Sequence, residues 1–135
     1  MFLIDTMVIS ERSKARGNKA VLQWLDTAHT ESAFLSVVTI SEIERGIAKF
    51  EKREGQLADR HRNWLATTLA AYSERVLPIT VEIARRWGRL SHDLGHVEPD
   101  LMIAATALEH DLTVVTRNIR HFEPTGVKLC NPYGA

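Results

Sequence analysis

This chain has one cysteine, Cys130, among its 135 residues. An internal disulfide is therefore excluded, and a reducing, cytoplasmic setting is expected. Long apolar runs are missing as well. The longest stretches fall far short of the roughly 18 residues of a spanning helix, so no membrane association is expected. Asp5 and Glu11 interrupt any apolar core that a secretory signal would need. There is no surplus of charge: 17 basic residues offset 17 acidic ones. That balance argues against a protein that holds nucleic acid chiefly by counterion release. It does not argue against an enzyme that meets a phosphodiester through a metal. A glycine-rich phosphate loop is absent. Of the six histidines only His92 and His96 have a metal-ligand spacing, and Gly95 between them is placed to end the helix that would align them, which disfavours zinc. Ser36 and Ser41 have no evident base partner, and Cys130 has no histidine at a catalytic spacing.

What the chain does have is an ordinary globular composition, 44% apolar and 25% charged, in a length that suits a single domain over residues 1–135. Phe2-Leu3-Ile4 is an uninterrupted apolar run of the kind found in strands buried on both faces, and it stops at Asp5. A short helical segment is expected over residues 7–14. A second helix follows with Ala20, Val21, Trp24, Leu25 and Ala28 on one stripe, broken by residues 30–32. Residues 33–38 read as a strand. Thr39-Ile40-Ser41-Glu42 has the capping-box pattern, with Thr39 as N-cap of a helix that carries Ile40, Ile43 and Ile47 on one side. Gly46 in its interior suggests close packing. Residues 56–74 form a longer helix with Leu57, His61, Trp64, Leu65, Leu69 and Tyr72 in register, and residues 75–79 form a short apolar connection with room for a brief strand. Thr80 caps a helix that Gly95 ends. Glu98-Pro99-Asp100 opens a helix that is apolar almost all round and hence buried. Residues 112–116 read as another buried strand, and residues 127–130 as an edge strand. The three tryptophans fall on apolar stripes. Helices alternating with about four short strands predict an α/β fold, a central mostly parallel sheet between two helical layers.

Three carboxylates hold comparable places in this order. Asp5 follows the first strand, Glu42 lies in the first turn after the second, and Asp100 starts the buried helix; Asn118 follows the strand at residues 112–116. Each has a bland explanation. Asp5 can turn the chain into a helix, Glu42 can be the capping partner of Thr39, Asp100 can favour the helix dipole, and Asn118 is a common turn residue. With parallel strands, however, all four fall on one edge of the sheet, where ligand sites form in open α/β folds. Converging carboxylates either hold a proton or hold a cation. Mg²⁺ or Mn²⁺ suits an all-oxygen site that also takes substrate phosphate.

The residues that carry this pattern resemble a known family. Phe2-Leu3-Ile4-Asp5-Thr6, Thr39-Ile40-Ser41-Glu42-Ile43 with Gly46, and Pro99-Asp100-Leu101-Met102-Ile103-Ala104-Ala105-Thr106-Ala107 look like PIN-domain proteins. So do Thr116-Arg117-Asn118 before Phe122 and the ending Asn131-Pro132-Tyr133. The likeness is narrower to the VapC and FitB-like toxins of toxin–antitoxin pairs, and it spans the chain. It implies a three-layer α/β/α PIN-like fold and a Mg²⁺-dependent endoribonuclease that hydrolyses RNA phosphodiesters with metal-activated water. It also implies a homodimer held inactive by a VapB-type antitoxin, which alone would contact DNA. By the same likeness Asp5 and Asp100 match the metal ligands, and Glu42 matches an acid that orders the waters. Asn118 stands where many relatives have a fourth acid, and His121 where others have one. Met7 stands where the family usually has Asn. Met7 and Asn118 motivate an alternative, a catalytically weak or inactive PIN-like protein that binds RNA or an antitoxin.

Overall fold

A computed structural model of the chain describes residues 1–27 and 32–134. Two stripe positions named above, Ala28 and the Leu57 side chain, lie outside what is described, as do residues 30 and 31 of the helix break.

Five strands form one sheet: β1 (Phe2–Ile4), β2 (Ala33–Ser36), β3 (Val76–Leu77), β4 (Thr113–Val115) and β5 (Lys128–Cys130). Their order is β3-β2-β1-β4-β5 and every pairing is parallel. The sheet is thus wholly parallel, and the connection at residues 75–79 does contribute an edge strand. The first strand is the central one. From it the chain steps outward to β2 and β3, then crosses back to β4 and β5 on the other side. The reversal falls between β1 and β4, where Leu3 pairs with Val114 and Ile4 with Val115. This is the switch point at which open α/β sheets leave a crevice for ligands.

Strand alternation divides the interior into two cores. Phe2, Ile4, Leu35 and Val115 pack on one face, beneath α1 (Thr6–Ile9), α2 (Lys19–Thr27), α3 (Val37–Glu54) and α4 (Asp59–Tyr72). Leu3, Phe34, Val114 and Leu129 pack on the other, with α5 (Val81–Leu94), α6 (Asp100–His110) and α7 (Ile119–Phe122). The three-layer expectation holds. Helix α6 is the buried helix foreseen from its composition, with Leu101 and Ile103 to Ala107 all inaccessible. Gly95 ends α5 in the left-handed conformation (φ 76°) that favours glycine there.

Two expectations fail. Helix α3 starts three residues earlier than the capping-box pattern indicated: Ser36 is its N-cap and accepts from the Val38 N–H at 3.0 Å. The hydroxyl nearest the strand end captures the free amide first, so Val37 and Val38 enter the helix despite their strand preference. Glu42 is therefore not a capping partner of Thr39. Gly46 is not closely packed either, since a Cβ placed there meets nothing within 4 Å. It borders a groove instead.

Candidate metal and nucleic-acid site

Asp5 begins where β1 leaves the sheet. Its N–H still bonds the Val115 carbonyl at 2.9 Å, which keeps it in register with β4, while its own carbonyl accepts from the Val8 and Ile9 N–H groups of α1. The residue is fixed from both sides, and its side chain is 4% exposed. Oδ1 accepts from the Thr6 N–H at 2.8 Å and Oδ2 from the Thr116 hydroxyl at 2.7 Å. The Thr116 hydroxyl in turn accepts from the Asn118 N–H at 2.9 Å. A short relay of polarised donors thus runs from the loop after β4 to the carboxylate.

These two bonds do not compensate for burial. Burial pushes the Asp5 carboxyl up to about 6; the Thr116 bond opposes it, the Asp100 charge adds to it, the Thr6 N–H opposes and the Glu42 charge adds again. Asp5 therefore feels both Asp100 and Glu42 at the edge of the sheet. Glu42 is held by the Thr6 hydroxyl, which donates to its Oε1 at 2.7 Å. Thr6 Oγ1 also lies 3.1 Å from Thr39 Oγ1. A hydroxyl has one proton, so with Thr6's proton on Glu42 it is Thr39, fully buried, that supplies the proton of that contact. Asp100, at the start of α6, faces Nδ1 of His121 at 3.3 Å.

The structure thus brings together Asp5, Glu42 and Asp100, while Asn118 joins through its backbone. Its side chain makes no cap hydrogen bond to α7. Sequence reasoning gave Thr6, Thr39 and Thr116 no part in the site; Thr39 reads there only as a helix cap. The available signal was a hydroxyl residue just past the strand ends, Thr6 after Asp5 at β1 and Thr116 directly after β4. Met7, the departure from the family pattern, is 37% exposed, and its carbonyl oxygen lies 3.3 Å from the Tyr133 hydroxyl oxygen. The single proton of that hydroxyl goes to Glu11 at 2.9 Å, and the Tyr133 ring lies under the Arg117 guanidinium, 4.8 Å from the ring centre. The Asn131-Pro132-Tyr133 segment therefore clasps both loops that hold Asp5.

The donor set is all oxygen. Among the described residues no three carboxylate, imidazole or thiolate groups converge closely enough to enclose an ion unaided. That pattern fits Mg²⁺, which keeps several waters and is bound through one or two carboxylates. It does not fit zinc, which wants four close protein ligands in a structural site or three in a catalytic one. A divalent cation here would relieve the repulsion that raises Asp5, so the residues fit such an ion.

The PIN-domain family profile matches residues 2–126. A VapC ribonuclease of Sinorhizobium fredii is 34% identical over 138 residues, covering 98% of each chain. The toxin FitB of Neisseria gonorrhoeae is 32% identical over 140 residues, 98% of this chain and 99% of that one. The crystal structure of FitAcB from the same organism superposes with a TM-score of 0.89 at 31% identity, covering both chains completely. With a switch-point acid, two further carboxylates beside it and relatives matched along the whole chain, the protein belongs to the PIN-domain family, in the branch of the VapC and FitB toxins.

Proposed function

We propose that the chain is a Mg²⁺-dependent endoribonuclease, the toxin of a type II toxin–antitoxin pair, with Asp5 and Asp100 as metal ligands, Glu42 in support and Asn118 beside them. One observation carries this reading: a carboxylate buried at the switch point, raised to about 6, with two other carboxylates adding to the strain. A purely structural acid at that position would be expected to have a cation or enough donors to hold it low. Bound there, Mg²⁺, or Mn²⁺ in its place, would supply charge for the phosphodiester and lower the pKa of the attacking water. The chain's own residues then have separate tasks. Thr116 and the Thr6 N–H fix the two Asp5 oxygens, leaving their other lone pairs for the ion. The Thr6 hydroxyl turns Glu42 toward the same edge, where it can accept a proton from water.

A VapB-type antitoxin is the proposed partner, with DNA reached only through it and the toxin itself a homodimer. A groove of about 230 Å³ between α1, α3 and α4 opens on Thr6 and Glu42 and is bordered by Gly46, Ile47 and Trp64. It suits a peptide segment, and a basic side chain at that segment's end could take the cation's place among the acids.

The test is cleavage of RNA with Mg²⁺ by the partner-free chain, beside Asp5→Ala and Asp100→Ala. Loss of cleavage in both variants and on chelation is expected. Equal residual cleavage in all three preparations would point to a contaminant and remove the reading. Metal-free RNA binding without cleavage by the wild-type chain would favour the regulatory alternative.

A further inference from the structure

We infer that Arg45 and Arg120 are the two phosphate-binding positions of the site, one on each side, and that together they lay a single RNA strand across the three carboxylates. The inference rests on the ribonuclease reading above and names how that site holds its substrate.

A polyanion approaching Asp5, Glu42 and Asp100 is repelled until a cation intervenes, and a chain of zero net charge provides no global attraction. Local cations have to supply it. A cavity of about 320 Å³ is walled by Val37, Ser41, Glu42, Arg45, Pro99 and Met102. A second, of about 290 Å³, is walled by His96, Asp100, Arg120, His121 and Pro124, among others. Pro99 lines the first cavity and Asp100, the next residue, lines the second, so each cavity borders the start of α6. Arg45 lies three residues after Glu42 on α3, on the same helix face. Arg120 precedes His121, whose ring touches Asp100. Arg45 thus shares a cavity with Glu42, and Arg120 shares one with Asp100.

Neither guanidinium makes a hydrogen bond or ion pair among the described residues. By contrast Arg12 pairs with Asp26, Arg62 with Glu51 and Asp59, and Arg86 with Glu109. Their guanidinium donors are available for phosphate oxygens, which they match in geometry. Beside Arg45 the exposed Val37 and half-buried Met102 offer an apolar wall against which an unstacked base can lie, as single-stranded RNA requires. Two other cavities sharpen the choice. The groove between α3 and α4 also opens on Glu42, but its lining contains no lysine or arginine. The cavity along α5 holds Arg85, Arg86 and Arg89 yet includes none of the three carboxylates.

The experiment measures binding of a fluorescein-labelled, mixed-sequence, single-stranded 20-mer oligoribonucleotide by anisotropy across a salt series. It uses the full chain in the Asp5→Asn background so that cleavage does not intrude. Each of Arg45→Gln and Arg120→Gln is expected to weaken binding about 3- to 10-fold and to lower the slope of log K against log salt by about 0.7. Arg45→Lys and Arg120→Lys should retain most of the slope, and Arg85→Gln should leave both quantities unchanged. The arginine substitutions are all at exposed positions, and thermal unfolding unchanged from the Asp5→Asn parent confirms that the fold is kept. Unaltered slopes in both Gln variants, or a loss confined to Arg85→Gln, overturn the assignment while leaving the ribonuclease reading in place. Failure of the parent chain to bind the 20-mer at any salt, with no cleavage by the wild type, removes that reading and the track with it.

Discussion

Asp5 and Glu11 are both buried carboxylates, 4% and 5% exposed, six residues apart on the same stretch of chain, and they are in opposite states. Burial raises Glu11 as it raises Asp5. At Glu11, however, the Asn18 N–H at 3.0 Å, the Lys14 ammonium at 3.1 Å and the Tyr133 hydroxyl at 2.9 Å outweigh it and leave the carboxyl below its ordinary value. Asp5 has one hydroxyl, one N–H, no cation and two acidic neighbours, and it is raised. Burial of an acid is thus not the mark of a functional site by itself. Burial without enough compensation is.

The largest effect expected from breaking this contrast is at Asp5. Asp5→Asn should lower RNA cleavage by on the order of 1,000-fold, equivalent to the several kcal/mol that a catalytic ion supplies. The same substitution should raise the melting temperature of the metal-free chain at neutral pH. Its amide oxygen can still accept from Thr6 and its NH₂ can donate to the Thr116 oxygen, without a buried charge. Thermal unfolding in chelator beside single-turnover cleavage measures both effects on one preparation, and a variant that loses stability as well as activity contradicts the contrast.

Next in size is the pH dependence. Between 3.8 and about 6 the folded chain binds the Asp5 proton more tightly than the unfolded chain does. Stability from Asp5 is therefore fully present below 3.8 and falls as pH rises through about 6, by on the order of 3 kcal/mol. Glu11 has the opposite sign. Its lowered carboxyl contributes stability above the ordinary value of 4.5 that is lost as pH falls through its folded value. Urea unfolding of the metal-free wild type, Asp5→Asn and Glu11→Gln from about pH 2.5 to 8 separates the two. The wild type should lose ground to Asp5→Asn as pH rises, and lose its advantage over Glu11→Gln as pH falls. Saturating Mg²⁺ at pH 7 should restore most of what Asp5 costs, and unchanged stability with Mg²⁺ would count against the ion.

Glu11→Gln itself should cost about 2 kcal/mol at pH 7, because three donors lose a charged acceptor. Cleavage per folded molecule should change less than threefold, since Glu11 acts on the loop and not on substrate. Smallest is Tyr133→Phe, about 1 kcal/mol, the worth of one hydrogen bond to a carboxylate at a half-buried position. The ring and its Arg117 contact are kept. Because that hydroxyl also meets the Met7 carbonyl, the variant should need a several-fold higher Mg²⁺ concentration for half-maximal cleavage, with the maximal rate recovered at saturation.

Much of this was legible in the residues. Phe2-Leu3-Ile4 and the run after Asp100 are apolar without alternation, and only a two-sided burial accommodates them, so the parallel sheet and the buried helix could be read directly. The carboxylates could be placed on one edge because parallel strands put their ends together. What could not be read depends on competition or on distance. At residues 36–39 two hydroxyls compete to cap one helix, and the register of β2 decides for Ser36. Gly46 is equally compatible with a tight crossing and an open groove, and only the placement of α4 shows the second. The Thr116 bond to Asp5 spans 111 residues and the Tyr133 bond to Glu11 spans 122, so no local pattern encodes either. Met7 looked damaging because the family's side chain there is polar, yet in this chain the polar contact at that position is made by its backbone carbonyl.

The central claim is that Asp5 is held in a raised state that a divalent cation relieves. It is tested most directly by titrating the Asp5 carboxyl carbon by ¹³C NMR, with and without Mg²⁺. A midpoint near 6 is expected in chelator, with a clear fall when Mg²⁺ is added. A midpoint near 4 that Mg²⁺ does not move would contradict it.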